Sequence, residues 1–423
     1  MSTRLPSLIG PLLIGGAMLG RPLLAQDHPH AITVPLSGRR VLATVENVPV
    51  YNGGFGSGLT RDPRTGHWLA LTDRGPNFDV AEDVKGFPVP AYQPMVGRFR
   101  LVGRGKNRSL VLVERIPLRA RDGTPIVGLP NPPGAGATGE RAVGLDGSEL
   151  PPTPKGLDPE AIHALVDGTF WVADEYGPSL VHFDRSGREL ERVSPYTAPK
   201  ALPRILAARR PNRGFEGLTG SADGAKLFAI LQSPLDNPKA AGRASRYIRI
   251  VVYHPSRGAA EQYLYPVEDA RFFVGDLTLL PDGTLLVLEN DGTPPGPTSH
   301  RRIYRIDLSG ATPIGDESAD ETTIESLDSA GLARRSIAPA TKTLVADLGK
   351  MGYRHDKPEG ILALGPNEIA VINDDDFGIS EGPNGLPIPK RLLGLDGPVD
   401  RNEVWIVRLP TALWKTPRPL ERR

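Results

Sequence analysis

GDLTLLPDGTLLVLENDG, at residues 275–292, is the stretch that decides the fold. It has an apolar anchor at Leu277, a turn at Asp282-Gly283, and an apolar run from Leu285 to Leu288 that leads into acidic residues. An Asp-Gly pair between apolar runs is a strong hairpin signal, because the turn needs residues that tolerate positive φ. A short continuous apolar run suits a strand that is buried on both faces. The stretch therefore predicts an interior β-hairpin.

The same design occurs four more times along the chain. The other copies are SGLTRDPRTGHWLALTDRG (57–75), EAIHALVDGTFWVADEYG (160–177), EGLTGSADGAKLFAILQ (216–232) and EGILALGPNEIAVINDDDFG (359–378). A second strand pair usually follows each copy, and two hairpins per unit make the four-stranded blade of a β-propeller. The repetition favours this architecture over the alternative, an ordinary β-sandwich.

The spacing of the copies predicts the number of blades. The gap between the first two apolar anchors, Leu59 and Ile162, is close to two of the shorter gaps, so a blade without the signature is expected there. The fold class predicted is an all-β propeller with six four-stranded blades, and five or seven remain open. One propeller domain is expected over residues 39–410, with long surface loops. Its last strand, Asn402 to Leu409, is expected to pair with Arg39 to Val45 and close the ring.

The first 25 residues have the features of a signal peptide. Arg4 precedes an uncharged, largely apolar run from Leu5 to Gly20, and Ala25 stands before polar Gln26. This order is typical of an export signal cleaved after a small residue. The run is shorter than the roughly 20 residues that span a bilayer. We therefore expect a periplasmic or secreted protein with no membrane span after the signal is removed.

The composition excludes several kinds of chemistry. The chain has no cysteine, which rules out disulfides, thiolate catalysis and Cys-ligated zinc. Lys plus Arg is 50 and Asp plus Glu is 49, so a concentrated basic surface for nucleic acid is not expected. We expect a monomer that acts on a small anionic or ester substrate.

Acidic residues occur at equivalent positions of the repeats. In an antiparallel hairpin the start of the first strand and the end of the second lie at the same edge. In a propeller that edge faces one mouth of the central channel, so these acids are expected to converge there. The acids at the strand starts are Glu160, Glu216 and Glu359, with Asp276 one residue out of register, and those at the strand ends include Asp73, Asp174, Glu175 and Asp374.

A hard cation is predicted at this mouth. Clustered carboxylates repel one another, and Ca²⁺ is suited to bind them because it takes six to eight oxygen ligands in flexible geometry. The expected ligands are Glu160, Glu216, Glu359, Asp276, Asp73 and Asp374. The alternative is that these acids are solvated or hold turns together.

Basic residues stand beside the same acids. Arg213 precedes Glu216, Lys357 precedes Glu359, and Arg74 follows Asp73. Cations beside a metal hold an anionic oxygen group such as phosphate, so these three are predicted to bind the substrate. The alternative is plain ion pairing with the neighbouring acids.

Four short segments resemble one known family. GLDPEAI (156–162), ADEYGP (173–178), NRGFEGLT (212–219) and DKPEGI (356–361) are similar to the phytase-like, "esterase-like activity of phytase" family of bacterial β-propeller proteins, and the resemblance runs from about Phe55 to Arg408. The resemblance implies a propeller, export, and Ca²⁺-dependent hydrolysis of phosphoesters or other esters. The expected fold also looks like that of Ca²⁺-dependent lactonases and phosphotriesterases.

These features favour metal-assisted hydrolysis. Ca²⁺ polarises a phosphoryl or acyl oxygen and positions water. Asp174 or Glu175 is the candidate general base or the holder of a second ion. Two alternatives stay open, namely a Ca²⁺-binding propeller without turnover and a quinone-dependent dehydrogenase.

Overall fold

The computed structural model describes residues 31–296, 298–315, 324–392 and 396–415. The predicted signal peptide lies outside these residues. Strands dominate the described chain, and none of its helices is long and apolar enough to cross a membrane. The all-β prediction is therefore confirmed.

Five four-stranded antiparallel sheets form the blades, numbered here 1 to 5. From the innermost strand outward they are Gly58–Arg61, Trp68–Leu71, Met95–Val102 and Ser109–Pro117 in blade 1; Pro159–Ala164, Phe170–Asp174, Ser179–Phe183 and Glu189–Val193 in blade 2; Phe215–Gly220, Leu227–Leu231, Tyr247–His254 and Ala259–Pro266 in blade 3; Phe273–Leu279, Leu285–Asn290, Arg301–Asp307 and Thr341–Asp347 in blade 4; and Pro358–Gly365, Glu368–Asn373, Glu403–Arg408 and Ala31–Pro35 in blade 5. The innermost strand of each blade packs against those of its two neighbours, and blade 5 packs against blade 1. The propeller is thus a closed ring of five blades.

A sixth four-stranded sheet lies outside this ring. Its strands are Phe78–Ala81, Val84–Gly86, Arg141–Val143 and Glu149–Leu150, and we call it the insert sheet. It packs against a hairpin formed by Ile379–Glu381 and Pro387–Pro389. The long gap between Leu59 and Ile162 holds these insertions and no further blade. Five blades, one of the alternatives left open, is the number in the ring.

The ring is closed by a different strand from the one predicted. Ala31–Pro35 pairs with Glu403–Arg408, and Val34 is fully buried there. The predicted pairing of residues 39–45 with this strand is wrong, because Val41–Val45 instead pairs with Val48–Tyr51. The connecting Glu46 and Asn47 have φ of 46° and 68°, the left-handed conformation of a two-residue hairpin turn. The blade that closes the ring therefore includes residues ahead of position 39.

The remaining described elements are short and lie in connections. They are the α-helices Lys239–Arg243 and Ser329–Arg334 and the 3₁₀ turns Gly105–Asn107, Arg204–Ala208, Ile324–Ser326, Asp376–Gly378 and Pro383–Gly385. The apolar core lies between adjacent blades, and its largest cluster joins blades 2, 3 and 4 through residues such as Leu218, Val251 and Leu285. The repeated apolar strands are thus buried on both faces, as their composition predicts.

Small residues let the innermost strands approach closely at the axis. Gly360 lies where blade 5 meets blade 1, and a Cβ built there would be 2.5 Å from Cγ2 of Ile372 and 3.0 Å from Cβ of Leu59. Gly365, in the same strand, has open space at the corresponding point. Alanine substitutions at the two positions can therefore be compared, so that the cost of a clash in the ring is separated from the effect of replacing a glycine.

We predict that Gly360→Ala lowers the free energy of unfolding by about 1–3 kcal/mol, the usual cost of overpacking a core. Gly365→Ala is the matched control and should be neutral or stabilising by up to about 1 kcal/mol, because it restricts the unfolded chain without a clash. Urea unfolding of both variants measures the difference. Equal stability of the two variants would contradict the close ring packing.

Candidate active site

A cavity of about 360 Å³ opens at one mouth of the channel. Its floor comes from the starts of innermost strands and the ends of second strands, and the insert sheet and the hairpin of residues 379–389 form a wall. Nine of the eleven predicted site residues line it: Asp73, Arg74, Glu160, Glu175, Arg213, Glu216, Lys357, Glu359 and Asp374. The structure therefore brings together most of the residues chosen from the repeats.

A β-bulge aims the glutamates of the innermost strands into this cavity. The strand register shifts between residues 159 and 161, 215 and 217, 274 and 276, and 358 and 360. The residues left out of the pairing are Glu160, Glu216, Gly275 and Glu359. A bulge turns the extra residue away from the regular alternation of a strand. The same irregularity in blades 2, 3 and 5 thus gives three glutamates a common direction.

Three carboxylates come close enough to share one ion. Asp158, Glu160 and Glu175 each offer an oxygen, and these atoms all lie within 4.8 Å of one another. All three side chains are buried. Glu175 is held in place by its backbone amide, which donates to the Asp158 carbonyl oxygen at 2.9 Å.

Gln232 adds an unused oxygen beside this group. Its Nε2 donates to Oε2 of Glu216 at 2.7 Å, while its Oε1 is buried and accepts no hydrogen bond in the part of the chain that the structure describes. Gln232 is only 7% exposed and lines the cavity. A buried acceptor without a donor usually marks a place for water or an ion.

The glutamates on the blade 2 and blade 3 side of the cavity have higher pKa values than ordinary carboxylates. Burial raises the pKa of Glu160 well above its usual range, and the charges of Asp158 and Glu216 raise it further. Burial also raises the pKa of Glu175 and Glu216, although Arg213 opposes both shifts. In each case loss of hydration disfavours the charged form.

The other half of the cavity already contains a cation. Nζ of Lys357 lies 2.8 Å from Asp376, 3.2 Å from Asp374 and 3.6 Å from Glu359. Lys390 adds a second ammonium, at 2.6 Å from Asp376. Lys357 and Lys390 together therefore occupy the centre of the blade 5 acids.

Arg74 is buried and fully engaged. It donates to Glu140, to the Tyr176 hydroxyl and to Asn212 at 3.2–3.4 Å, and its Nε lies 3.5 Å from Asp158. Its backbone amide also donates to Asp158. This network orients Asp158 toward the cavity and leaves Arg74 little capacity for a ligand.

Arg213 differs from Arg74 and Lys357. Its guanidinium lies 5.4 Å from the centre of the Phe273 ring, and within the described ranges it makes no ion pair. It is half-buried and lines the cavity. Arg213 is thus a cation available to an anionic ligand.

Asp174 does not reach the cavity. Its carboxylate accepts hydrogen bonds from the amides of Asp158 and Tyr176 and from the hydroxyl of Ser179, at 2.8–3.2 Å. These bonds fix the turn that carries Glu175. The structure therefore separates Asp174 from the predicted substrate site and gives it a structural role.

Asp276 does not reach the cavity either. Its two oxygens accept hydrogen bonds from the amides of Leu277 and Ile361, at 2.7 and 2.8 Å, and so join blade 4 to blade 5. Burial raises its pKa well above the usual range despite these bonds. Its oxygens are taken up by backbone donors, which is why it does not join the predicted ligands.

We predict that Asp276→Ala lowers the free energy of unfolding by about 3 kcal/mol or more, since two buried amides lose their acceptor. Asp223→Ala, in the exposed turn of blade 3, is the control and should cost about 1 kcal/mol or less. Thermal unfolding and Ca²⁺ titration of both variants test this role. A stable Asp276→Ala protein with weakened Ca²⁺ binding would restore Asp276 as a metal ligand.

The pattern of repeats missed several residues of the cavity. Asp158 stands two residues before Glu160, as Lys357 stands before Glu359, and alternation along a strand would have placed it on the same side. Gln232 occupies the strand-end position of its repeat. The insert sheet contributes Phe78 and Lys85, and no local signal in the sequence indicates that they meet the channel.

A five-bladed ring with an acidic cavity at one mouth defines the chain as a β-propeller with a channel-mouth site. Residues 51–377 match the phytase-like family described as "Esterase-like activity of phytase", and the chain belongs to this family. The resemblance of the four short segments is thereby confirmed.

The matches to individual proteins cover less of the chain than the family match does, or have low sequence identity. An alignment 164 residues long shows 34% identity to an uncharacterized secreted protein of Arthroderma benhamiae, with 31% of this chain and 32% of that protein covered. The match thus spans about a third of the relative's length. Among solved structures, the chain is similar to PorZ, a surface component of the type-IX secretion system of Porphyromonas gingivalis, with 11% identity over 76% of this chain and 31% of that one and a TM-score of 0.37. A luciferin-regenerating enzyme shows 12% identity over 84% and 78% of the two chains and a TM-score of 0.31.

Proposed function

We propose that this protein is an exported hydrolase of phosphate esters or other esters, with Ca²⁺ bound at the channel mouth. Membership of a family described by phytase and esterase activity supports the reaction class. The secreted relative and the signal-like N-terminus support export. The observation that carries the proposal is the group Asp158, Glu160 and Glu175, placed beside the unpaired Arg213.

The donor atoms fit calcium. Ca²⁺ binds oxygens at about 2.3–2.6 Å, so two ligands of one ion lie no more than about 5 Å apart. The three carboxylates meet this limit, and Glu216 with Oε1 of Gln232 supplies further oxygens nearby. Among the described residues that line the cavity there is no histidine, which argues against zinc.

The proposed ligand set differs from the one predicted from the repeats. Glu160 and Glu216 are retained, and Asp158, Glu175 and Gln232 are added. Asp276 of blade 4 leaves the set because its oxygens accept hydrogen bonds from backbone amides. Glu359 and Asp374 instead hold the ammonium of Lys357. Asp73 accepts a hydrogen bond from the Gly75 amide and faces Asp158, so it borders the ligand set.

Bound Ca²⁺ would polarise the phosphoryl or acyl oxygen and lower the pKa of a bound water. Arg213 would hold an anionic oxygen of the substrate, and Arg74 would position Asp158. Glu175 is the proposed general base, because one of its carboxylate oxygens can bind the ion while the other accepts a proton from water. Water adds to phosphorus or to the acyl carbon, the bond to the alcohol oxygen breaks, and the proton leaves with the alcohol.

We predict that Ca²⁺ stabilises the protein more as the pH rises. Without a cation the folded glutamates bind protons that the unfolded chain releases near the ordinary carboxyl pKa of 4.5, so their contribution to stability falls as the pH rises above that value. Ca²⁺ competes with these protons. The increase in melting temperature caused by Ca²⁺ should therefore be larger at about pH 8 than at about pH 6. Melting curves that are insensitive to both Ca²⁺ and a chelator would remove the cation from the proposal.

We predict that Glu160→Gln and Glu175→Gln each weaken Ca²⁺ binding at least about tenfold, or about 1.4 kcal/mol, while the fold persists. Hydrolysis of p-nitrophenyl phosphate and p-nitrophenyl acetate should fall in parallel. The control is Glu114→Gln, which changes a half-exposed carboxylate on the outer strand of blade 1 and should have no effect.

Three results of these assays discriminate among the functions. Loss of binding and turnover in both cavity variants supports the common site. Ca²⁺ binding without turnover of either ester would favour the non-catalytic propeller. Absence of ester hydrolysis, together with an absorbance change on titration with pyrroloquinoline quinone, would favour the dehydrogenase.

A further inference from the structure

The charge of the cavity limits the substrates that it accepts. Nine carboxylates and four cationic side chains of the described residues line it. With every lining carboxylate ionised, the formal charge of the cavity stays negative even with one divalent cation bound. A ligand with many negative charges meets like charges on side chains that are mostly buried, where charges repel more strongly.

The lining cations differ in whether they are already paired. Lys85 pairs with Asp79, Lys357 lies among three carboxylates, and Arg74 is held by its own network. Arg213 is the cation without an ion pair in the portion of the chain that the structure describes. A guanidinium binds one phosphate or carboxylate group through two parallel hydrogen bonds. Among the described residues, the lining of the cavity therefore has one unpaired cation, which can bind a single anionic group.

An apolar wall lies on the mouth side of the cavity. Phe78 from the insert sheet presents its edge to the cavity, and the buried side chains of Phe377 and Ile379 pack behind it in one cluster with Val50 and Tyr92. Their positions are set by core packing, so the wall is preformed. Phe273, beneath Arg213, is only half-buried and presents a more exposed apolar face to the cavity.

We infer that the site selects esters with one phosphate group and an apolar alcohol, and that it rejects substrates with several phosphate groups. The phosphate binds at Arg213, and the alcohol packs against Phe273 and the exposed edge of Phe78. This inference rests on the proposed hydrolase function. It assigns a substrate class that differs from the polyphosphorylated substrate suggested by the word phytase in the family description.

Three substrates of graded charge and polarity test the inference on the Ca²⁺-loaded protein. They are 1-naphthyl phosphate, glycerol 2-phosphate and myo-inositol hexakisphosphate. We expect kcat/KM to be highest for 1-naphthyl phosphate, lower for glycerol 2-phosphate and lowest for the hexakisphosphate. The value for the naphthyl ester should be at least about tenfold that for the glycerol ester. Hydrolysis of the hexakisphosphate at a rate equal to or above that of the naphthyl ester would overturn the inference.

A binding measurement separates substrate choice from catalysis. Phenylphosphonate and inositol hexakisphosphate are titrated into the protein by calorimetry, with the heat of Ca²⁺ chelation subtracted from a titration without protein. Tighter binding of phenylphosphonate supports the inference even where no ester is hydrolysed, a result that would refute only the hydrolase proposal. Tighter binding of the hexakisphosphate overturns the inference whatever the activity.

The role of Arg213 is tested by Arg213→Gln. The variant should bind phenylphosphonate at least about tenfold more weakly, and its hydrolysis of 1-naphthyl phosphate should fall by a larger factor than its hydrolysis of uncharged p-nitrophenyl acetate. Arg141→Gln, an exposed residue of the insert sheet outside the cavity lining, is the matched control and should change neither property. Unaltered phenylphosphonate binding in Arg213→Gln would refute this role.

Discussion

Repulsion among buried carboxylates is the constraint on which the channel mouth depends. Loss of hydration and like charges both disfavour ionisation of Glu160, Glu175 and Glu216, so each needs a proton or a cation. On the blade 5 side the protein supplies its own cation in Lys357. On the blade 2 and blade 3 side, no described lysine or arginine forms an ion pair with Glu160, Glu175 or Glu216, and Arg213 lines the cavity beside them. This asymmetry is the physical reason to expect an external ion there.

The architecture concentrates these acids because five strands meet at one axis. Close approach requires small residues such as Gly360, and the bulges turn the preceding glutamates out of the sheets and toward the mouth. Where an acid lies at the level of close packing, as Asp276 does, backbone amides of adjacent blades take up its oxygens. A shift of one residue along a strand thus separates a carboxylate of the cavity from one that joins two blades.

The insert sheet and the hairpin of residues 379–389 add a wall that the propeller itself lacks. They bring Phe78 and Ile379 to a cavity whose floor is almost entirely charged. Family membership and the fold leave substrate choice open, because the same scaffold serves different reactions through its sites. The contrast between apolar side chains and an anionic floor with one unpaired guanidinium is the basis for the substrate choice that we propose.

Local patterns in the sequence determined the hairpins, the propeller class and the common position of Glu160, Glu216 and Glu359, because alternation, turns and repeats act over a few residues. Only the tertiary structure decided that Ala31–Pro35 closes the ring, that the long first gap holds an insert sheet, and that Asp174 and Asp276 bind backbone amides. These outcomes depend on which distant backbone groups approach a side chain. The sequence does not distinguish a carboxylate whose oxygens face a cavity from one whose oxygens accept hydrogen bonds from backbone amides. Only the packing between blades decides which of these environments a given carboxylate has.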